Sequence, residues 1–153
     1  MYGLKEDNMQ VPSRFTIATH MLLIVALEGK ENKITSDFLA SSVGVNPVII
    51  RKTLSQLKKA ELISVARGTG GAEIIKNLED ISLLDIYQAV ECLGKTDQLF
   101  SFHDHPNPNC PVGANIHGVL DEKLLKIQQA MEEELSRTSL ARLVADTKAR
   151  IIE

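Results

Sequence analysis

The sequence predicts a mainly α-helical fold with a small β-wing and a long C-terminal helix. Three observations lead to this expectation. Two short helical segments are separated by one residue, Val45, between the glycine that ends the first and the asparagine that begins the second. Two short apolar stretches with glycines between them follow, which is typical of a hairpin. Further on, apolar residues from Ile116 to Leu135 recur at three- and four-residue spacing. Together they indicate a winged helix-turn-helix followed by a long helix.

The first two helices have recognisable start and stop signals. Ser13 can cap the first helix, and Gly29 ends it. Either Thr35 or Ser36 caps the second, and Gly44 can adopt the left-handed conformation that stops a helix.

The third helix begins at Asn46-Pro47, a cap followed by proline in the first helical position. The turn before it is so short that the two helices must cross steeply, as in a helix-turn-helix. Three apolar residues at helical spacing should face the core: Ile50, Leu54 and Leu57. The opposite face then carries Val48, Arg51, Lys52 and Ser55.

The hairpin is predicted from strands over 62–66 and 72–75, joined by Arg67-Gly68-Thr69-Gly70-Gly71. Glycine tolerates positive φ, so this turn can be tight and flat. After it, Ser82-x-x-Asp85 resembles a capping box and begins a helix through Glu91.

The C-terminal part is expected to hold an irregular segment over 93–111, a long helix, and a last helix that starts at Thr138 or Ser139. The long helix has a narrow apolar seam formed by Ile116, Leu120, Leu124, Ile127, Met131 and Leu135. Such a seam usually pairs with another helix, and we favour one from a second copy of the chain. The alternative is that the seam packs on its own domain. We therefore divide the chain into a DNA-binding unit over 9–92, a sensor-like loop over 93–113 and dimerisation helices over 114–153.

Charge is unevenly distributed along the chain. Six cations and two acidic residues lie between Asn46 and Lys76, a local charge of +4, whereas the whole chain carries −3 and the remainder therefore −7. A basic patch on an acidic body is typical of a nucleic-acid binder, although a solvated helix face gives the same pattern. The low aromatic content, 4%, argues against proteins that stack single-stranded bases on rings.

Other classes of protein are disfavoured. The longest apolar run, Met21 to Leu27, is far shorter than the ~20 residues of a membrane span. Two cysteines, Cys92 and Cys110, do not make a disulfide framework, so we expect a cytoplasmic protein. We find no nucleophile with a base and orienting group, no phosphate loop and no paired acids, so we expect no enzyme. Whether residues 1–8 are native is open, because a second Met stands at position 9.

Several motifs together resemble the Rrf2 family of bacterial winged-helix regulators, the group that contains IscR, NsrR and CymR. They are Ser42-Val43-Gly44-Val45-Asn46-Pro47, Leu57-Lys58-Lys59-Ala60, Arg67-Gly68-Thr69-Gly70-Gly71 and Ile81-Ser82-Leu83-Leu84-Asp85-Ile86-Tyr87. The stretch from Pro106 to Ile116 looks like the YwnA-type branch. The resemblance covers about residues 10–145 and implies a homodimer whose long helices cross and whose two winged helices read a palindromic DNA operator.

The chain departs from this family at the cluster ligands. Members such as IscR and NsrR hold an iron–sulfur cluster on three closely spaced cysteines. Here Cys110 falls near the last of those positions, the other two are absent, and Cys92 does not restore the spacing. Because a cluster needs several thiolates, we expect a member without a cluster or other cofactor.

The expected DNA contacts follow from these elements. Arg51 and Lys52 can reach a guanine edge or phosphates, the helix start at Asn46 suits a phosphate, and Arg67 suits the minor groove or a phosphate. The full expected set is Ser36, Asn46, Val48, Arg51, Lys52, Ser55, Arg67, Gly68, Thr69 and Gly70.

Cys110 is the candidate sensor, because a thiol beside His103 and His105 can have a lowered pKa. An inert thiol is the alternative. Zinc could also bind here, because its usual ligands are present in His103, His105, Cys110 and His117. A small-molecule pocket is a third interpretation. We thus expect a dimeric transcriptional repressor that can respond to thiol oxidation through Cys110. The alternatives are a winged-helix adaptor for proteins and a regulator that senses a small molecule or metal.

Overall fold

The computed structural model describes residues 13–67, 70–90, 98–100 and 103–152. These ranges contain six α-helices, one turn of 3-10 helix and a two-stranded antiparallel sheet. The elements are α1 (Arg14–Glu28), α2 (Ser36–Val43), α3 (Pro47–Lys59), β1 (Ile63–Val65), β2 (Ala72–Ile74), the 3-10 turn (Leu78–Asp80), α4 (Leu83–Ala89), α5 (Pro111–Ser136) and α6 (Leu140–Ile152). The predicted fold class, mainly α with a small β-wing, is confirmed.

Local side chains fix the ends of the helices in the DNA-binding unit. The Thr35 hydroxyl accepts from the Phe38 amide over 3.1 Å and starts α2, and Gly44 ends it with φ of +80°. The Ser82 hydroxyl and the Asp85 carboxylate accept each other's backbone amide protons, which is a complete capping box. Ser13 behaves differently from expectation, because its backbone is already helical and its side chain caps no amide.

Helix α1 lies at the centre of the core. It packs against α2, α3, α4, α6 and β2. Its buried residues include Met21 and Leu22, and the apolar face of α3 covers them with Ile50, Leu54 and Leu57, as the spacing predicts. The opposite face of α3 is left for solvent or a partner.

The β-wing is attached to the start of α2. Strands β1 and β2 pair with Ser64 opposite Glu73, and the amide of Ala72 donates to the carbonyl of Ile34 over 2.8 Å. Gly71 is needed because a β-carbon there would lie 2.6 Å from the Ile34 nitrogen. Gly71 does not have a positive φ, so close approach, and not a left-handed backbone, requires glycine at this position.

Helix α5 is longer than expected. It has 26 residues and begins at Pro111, inside the segment that we assigned to the sensor-like loop. It packs against α4, yet none of its residues is fully buried. Among the helices that the structure describes, none has the length and apolar character needed to cross a lipid bilayer.

Helix α6 returns to the N-terminal body. Leu140 and Val144 are buried in the same core as α1. The amide of Leu140 donates to the Ile81 carbonyl over 2.7 Å, and the amide of Leu83 donates to the Thr138 carbonyl over 2.9 Å. The core around α1 therefore extends into the last helix, which we had assigned to the dimerisation helices.

Candidate nucleic-acid interface

One face of α3 is exposed and rich in cations. Val48, Arg51, Lys52 and Ser55 are all exposed and lie at positions i, i+3, i+4 and i+7 of the helix. The other face holds the helix in place, with Thr53 buried and its hydroxyl donating to the Ile49 carbonyl over 2.8 Å. No aspartate or glutamate occurs in α3. The face therefore has a positive potential that suits a polyanion.

The cations of this face have no acidic partner among the described residues. Every ion pair within 4.0 Å there lies on α5, on α6 or at the turn between them, for example Lys126 with Glu122 and Arg142 with Asp146. Arg51, Lys52 and Lys58 are consequently available to an external anion in the part of the chain that the structure describes.

The N-terminus of α3 adds a further positive feature. Asn46 has an extended backbone, and its Oδ1 accepts from the Val48 amide over 2.8 Å. Pro47 has no amide proton, and the amides of Ile49 and Ile50 donate to the Asn46 carbonyl over 3.0 and 3.3 Å, so the amides of the first turn are paired. This end of the helix favours a phosphate through its dipole.

A cleft of about 330 Å³ separates α3 from the start of α2 and from the wing. Its lining residues are Ile34, Thr35, Ser36, Arg51, Leu54, Ser55, Lys58, Val65, Ala66 and Gly70. Four residues that we predicted as DNA contacts thus share one surface: Ser36, Arg51, Ser55 and Gly70. Lys58 shares it too. It was not among our expected contacts, although its spacing of seven residues from Arg51 places both on one side of a helix.

The wing projects beside this cleft. Arg67 follows β1 and is exposed. Gly70 lies directly against Ala66 on the other side of the hairpin. A β-carbon at Gly70 would lie 2.1 Å from the Ala66 β-carbon, so a larger residue does not fit there. Gly68 and Thr69, both expected contacts, lie outside the described residues.

Cys110 stands at the N-cap of α5, partly buried. Its sulfur makes no capping hydrogen bond, but the N–H groups at the start of α5, that of Gly113 first and that of Val112 next, favour the thiolate and lower the pKa of Cys110. Backbone amides at the start of α5 therefore lower the pKa of this thiol, an effect that we had assigned to a neighbouring histidine. His103 and His105 are both exposed.

The donors in the described residues do not fit a metal or cluster site. No three histidine, cysteine or acidic side chains come together there, so the set of His103, His105, Cys110 and His117 does not converge. His117 instead lies 3.2 Å from the Asp121 carboxylate. Cys92 lies outside the described residues. An iron–sulfur cluster needs more thiolates than the one that Cys110 can supply at this place.

The seam of α5 is only partly covered by its own chain. Ile116, Leu120, Leu124, Met131 and Leu135 are partly buried, whereas Ile127 is 51% exposed. Val119, beside the seam, is 52% exposed. An apolar strip therefore stays open along one side of this helix.

Comparison with known proteins identifies the family. The Rrf2 family profile, described as an iron-dependent transcriptional regulator, matches residues 11–146. A candidate HTH-type transcriptional regulator, YwnA of Bacillus subtilis strain 168, is 42% identical over 130 residues, covering 85% of this chain and 93% of its own.

Two solved structures share the fold. One, described as a candidate DNA-binding protein, is 37% identical with a TM-score of 0.66 and covers 86% of this chain and 98% of its own. The other, T. potens IscR, is 19% identical with a TM-score of 0.66 over 92% of this chain and 89% of its own. The family match spans nearly all of the described helices and the wing, and the chain belongs to the Rrf2 family of transcriptional regulators.

Proposed function

We propose that this protein is a homodimeric transcriptional repressor of the bacterial cytoplasm that binds a palindromic DNA operator. The observation that carries the proposal is the exposed face of α3, where Arg51 and Lys52 lack acidic partners among the described residues and where Arg51 lines the cleft next to the wing. In this fold such a helix enters the major groove while the wing lies on the neighbouring backbone. We expect no catalytic activity.

The uncovered strip on α5 supports a dimer. Val119 and Ile127 are each about half exposed on a helix of 26 residues, and a second α5 would remove them from water. A two-fold dimer presents two copies of α3, and a palindromic site presents two equivalent half-sites.

The first experiment measures operator binding by Arg51→Ala. Genomic footprinting of the wild-type protein first identifies the operator. We expect the variant to bind it at least tenfold more weakly and to discriminate less between operator and scrambled DNA, because Arg51 contributes charge and a guanine contact. Lys148→Ala removes an exposed cation on α6 as the matched control and should leave binding unchanged. Unchanged footprints of Arg51→Ala on operator and scrambled DNA would contradict the proposal.

Salt dependence tests how many cations contact phosphate. If three or four cations of each subunit do so, the plot of log affinity against log salt should have a slope of about −5 to −7 for the dimer. Lys58→Ala should make the slope about 2 units shallower without changing sequence preference, because two copies of one phosphate contact are lost.

We further propose that oxidation of Cys110 releases the DNA. The support is the lowered pKa of its thiol and its place at the start of α5. A regulator of the same fold that responds instead to a small molecule or metal is the alternative. A Cys110→Ser protein that still releases DNA under oxidant would rule out this thiol as the sensor.

A protein-binding adaptor is the second candidate. The observation that favours it is apolar exposure on α3, where Val48 is 63% and Ile49 is 43% exposed. Charge reversal separates the two functions, because Arg51→Glu should abolish repression by a DNA binder and should leave the activity of an adaptor intact.

A further inference from the structure

Val48 is the feature of α3 that an electrostatic account of DNA binding leaves unexplained. It is the first side chain of the exposed face, it is 63% exposed, and it lies among cations. A branched aliphatic side chain in that position gains nothing from phosphate. Its exposure leaves it available to an apolar partner within an otherwise polar and anionic surface.

The polar groups of α3 restrict which bases this helix can read. Asn46 is unsuited to the two-point contact with adenine, because its Oδ1 already accepts the Val48 amide over 2.8 Å. The other amide side chain, Gln56, is partly buried near the C-terminal end of α3, far from the first turn. The helix has no aspartate or glutamate to accept from a cytosine amino group. The exposed face offers cations, which suit guanine, one hydroxyl on Ser55, and the two methyl groups of Val48.

The major groove exposes one apolar group, the C5-methyl of thymine. We propose that Val48 contacts a thymine methyl in each operator half-site, next to a guanine read by Arg51 or Lys52. This inference rests on the proposed function and adds a base preference to it. Val48 is a specificity-determining residue, not a source of general affinity.

The spacing of these side chains fits neighbouring base pairs. Val48 and Arg51 are separated by about 4.5 Å of helix rise, and successive base pairs by about 3.4 Å. The thymine and the guanine should therefore lie one or two steps apart. Val48 is in the first turn of α3, the part of a recognition helix that reaches base edges.

The experiment replaces each operator thymine in turn by deoxyuridine, which removes only the methyl group. We expect one position in each half-site at which wild-type affinity falls about fourfold, the value of one buried methyl group. Val48→Ala should bind the unmodified operator with a similar loss and should not respond to deoxyuridine at that position. Ile152→Ala, which truncates an 86% exposed aliphatic side chain at the end of α6, is the control and should respond as the wild type does.

The outcomes separate this inference from the proposed function. If the wild-type protein binds no duplex, the proposed function fails. Two other results would contradict the Val48 contact while leaving DNA binding intact. In the first, the protein binds the operator but no thymine is sensitive to loss of its methyl group. In the second, Val48→Ala and wild type lose equal affinity at the sensitive thymine. Circular dichroism of Val48→Ala should match wild type, because the side chain is exposed.

Discussion

The backbone amide of Ala72 donates to the carbonyl of Ile34 over 2.8 Å, and this bond joins the β-wing to the start of α2. Ile34 is buried, so the bond lies against the core. It holds the second strand of the wing beside the cleft that contains Arg51 and Lys58. The position of the wing relative to α3 thus depends on a contact between distant parts of the sequence.

Gly71→Ala should destabilise the protein at this junction. A β-carbon at Gly71 would lie 2.6 Å from the Ile34 nitrogen, so the hairpin must move away from backbone atoms that cannot yield as a side chain can. We expect a loss of about 1–3 kcal/mol in the free energy of unfolding and a melting temperature lower by about 3–10 °C.

Gly118→Ala is the matched control for this substitution. Gly118 lies within α5, and a β-carbon there meets no atom within 4 Å. The change should stabilise the protein by about 0.4–1 kcal/mol, because it removes freedom from the unfolded chain and improves helix propensity. A Gly71→Ala protein that melts at or above the wild-type temperature would show that close approach does not dictate glycine here.

Asn46 should contribute separately to stability and to DNA binding. Asn46→Ala removes the 2.8 Å cap of α3 and should cost about 1 kcal/mol. Asn46→Asp keeps a good cap and should melt near the wild-type temperature. It should nevertheless bind the operator more weakly, because it places a negative charge where we expect a phosphate.

Ser82→Ala serves as the control for the loss of a cap. It removes the capping box of α4, outside the exposed face of α3, and should cost similar stability with unchanged operator affinity well below the melting temperature. Melting curves and DNA titrations measure the two effects. Equal operator affinity for Asn46→Asp and wild type would mean that no phosphate lies at this helix start.

The helix starts could be predicted because the side chains that form them are local. Thr35, Asn46 and Ser82 each bond an amide two or three residues away, so their roles can be identified from short stretches of sequence. The buried face of α3 could also be predicted from the sequence, since periodicity alone selects Ile50, Leu54 and Leu57.

What sequence could not predict depends on tertiary contacts. The demand for glycine at position 71 comes from Ile34, which lies on a different element. Periodicity predicted α6 but not its partner, and Leu140 and Val144 turned out to lie in the core with α1. Lys58 joins the cleft only because α2 and the wing close around it. The cause of the lowered pKa of Cys110 was also missed, because the start of α5 at Pro111 was not predicted from the sequence.

The open strip on α5 should join two copies of the chain. Ile127→Glu should dissociate the dimer, because it would bury an unpaired carboxylate, and we expect the dissociation constant to rise at least about 100-fold. Leu124 is a poorer position for this test, because it is partly buried within its own chain and its loss would also disturb folding.

Leu125→Glu is the matched control for the dimer test. Leu125 is 55% exposed on the same helix but lies about 200° around it from Ile127. It should leave the dimer intact. Sedimentation equilibrium of both variants measures the difference. If Ile127→Glu stays dimeric, or if both variants dissociate equally, the proposed strip is not the interface.

Cys110 should be more reactive than an ordinary thiol. The N–H of Gly113 and that of Val112 lower its pKa by stabilising the thiolate, which is the form that attacks alkylating reagents and oxidants. In a Cys92→Ser background, where Cys110 is the sole thiol, we expect the alkylation rate plotted against pH to rise at lower pH for the folded protein than for the same protein in urea. The direction follows from the sign of the pKa shift, because a stabilised thiolate persists at pH values at which the unfolded chain is protonated.

Coincident profiles would remove the physical basis for sensing at this residue. Cys110→Ser in the same background should bind operator as the reduced protein does and should stay bound under peroxide, since no thiol remains to be oxidised.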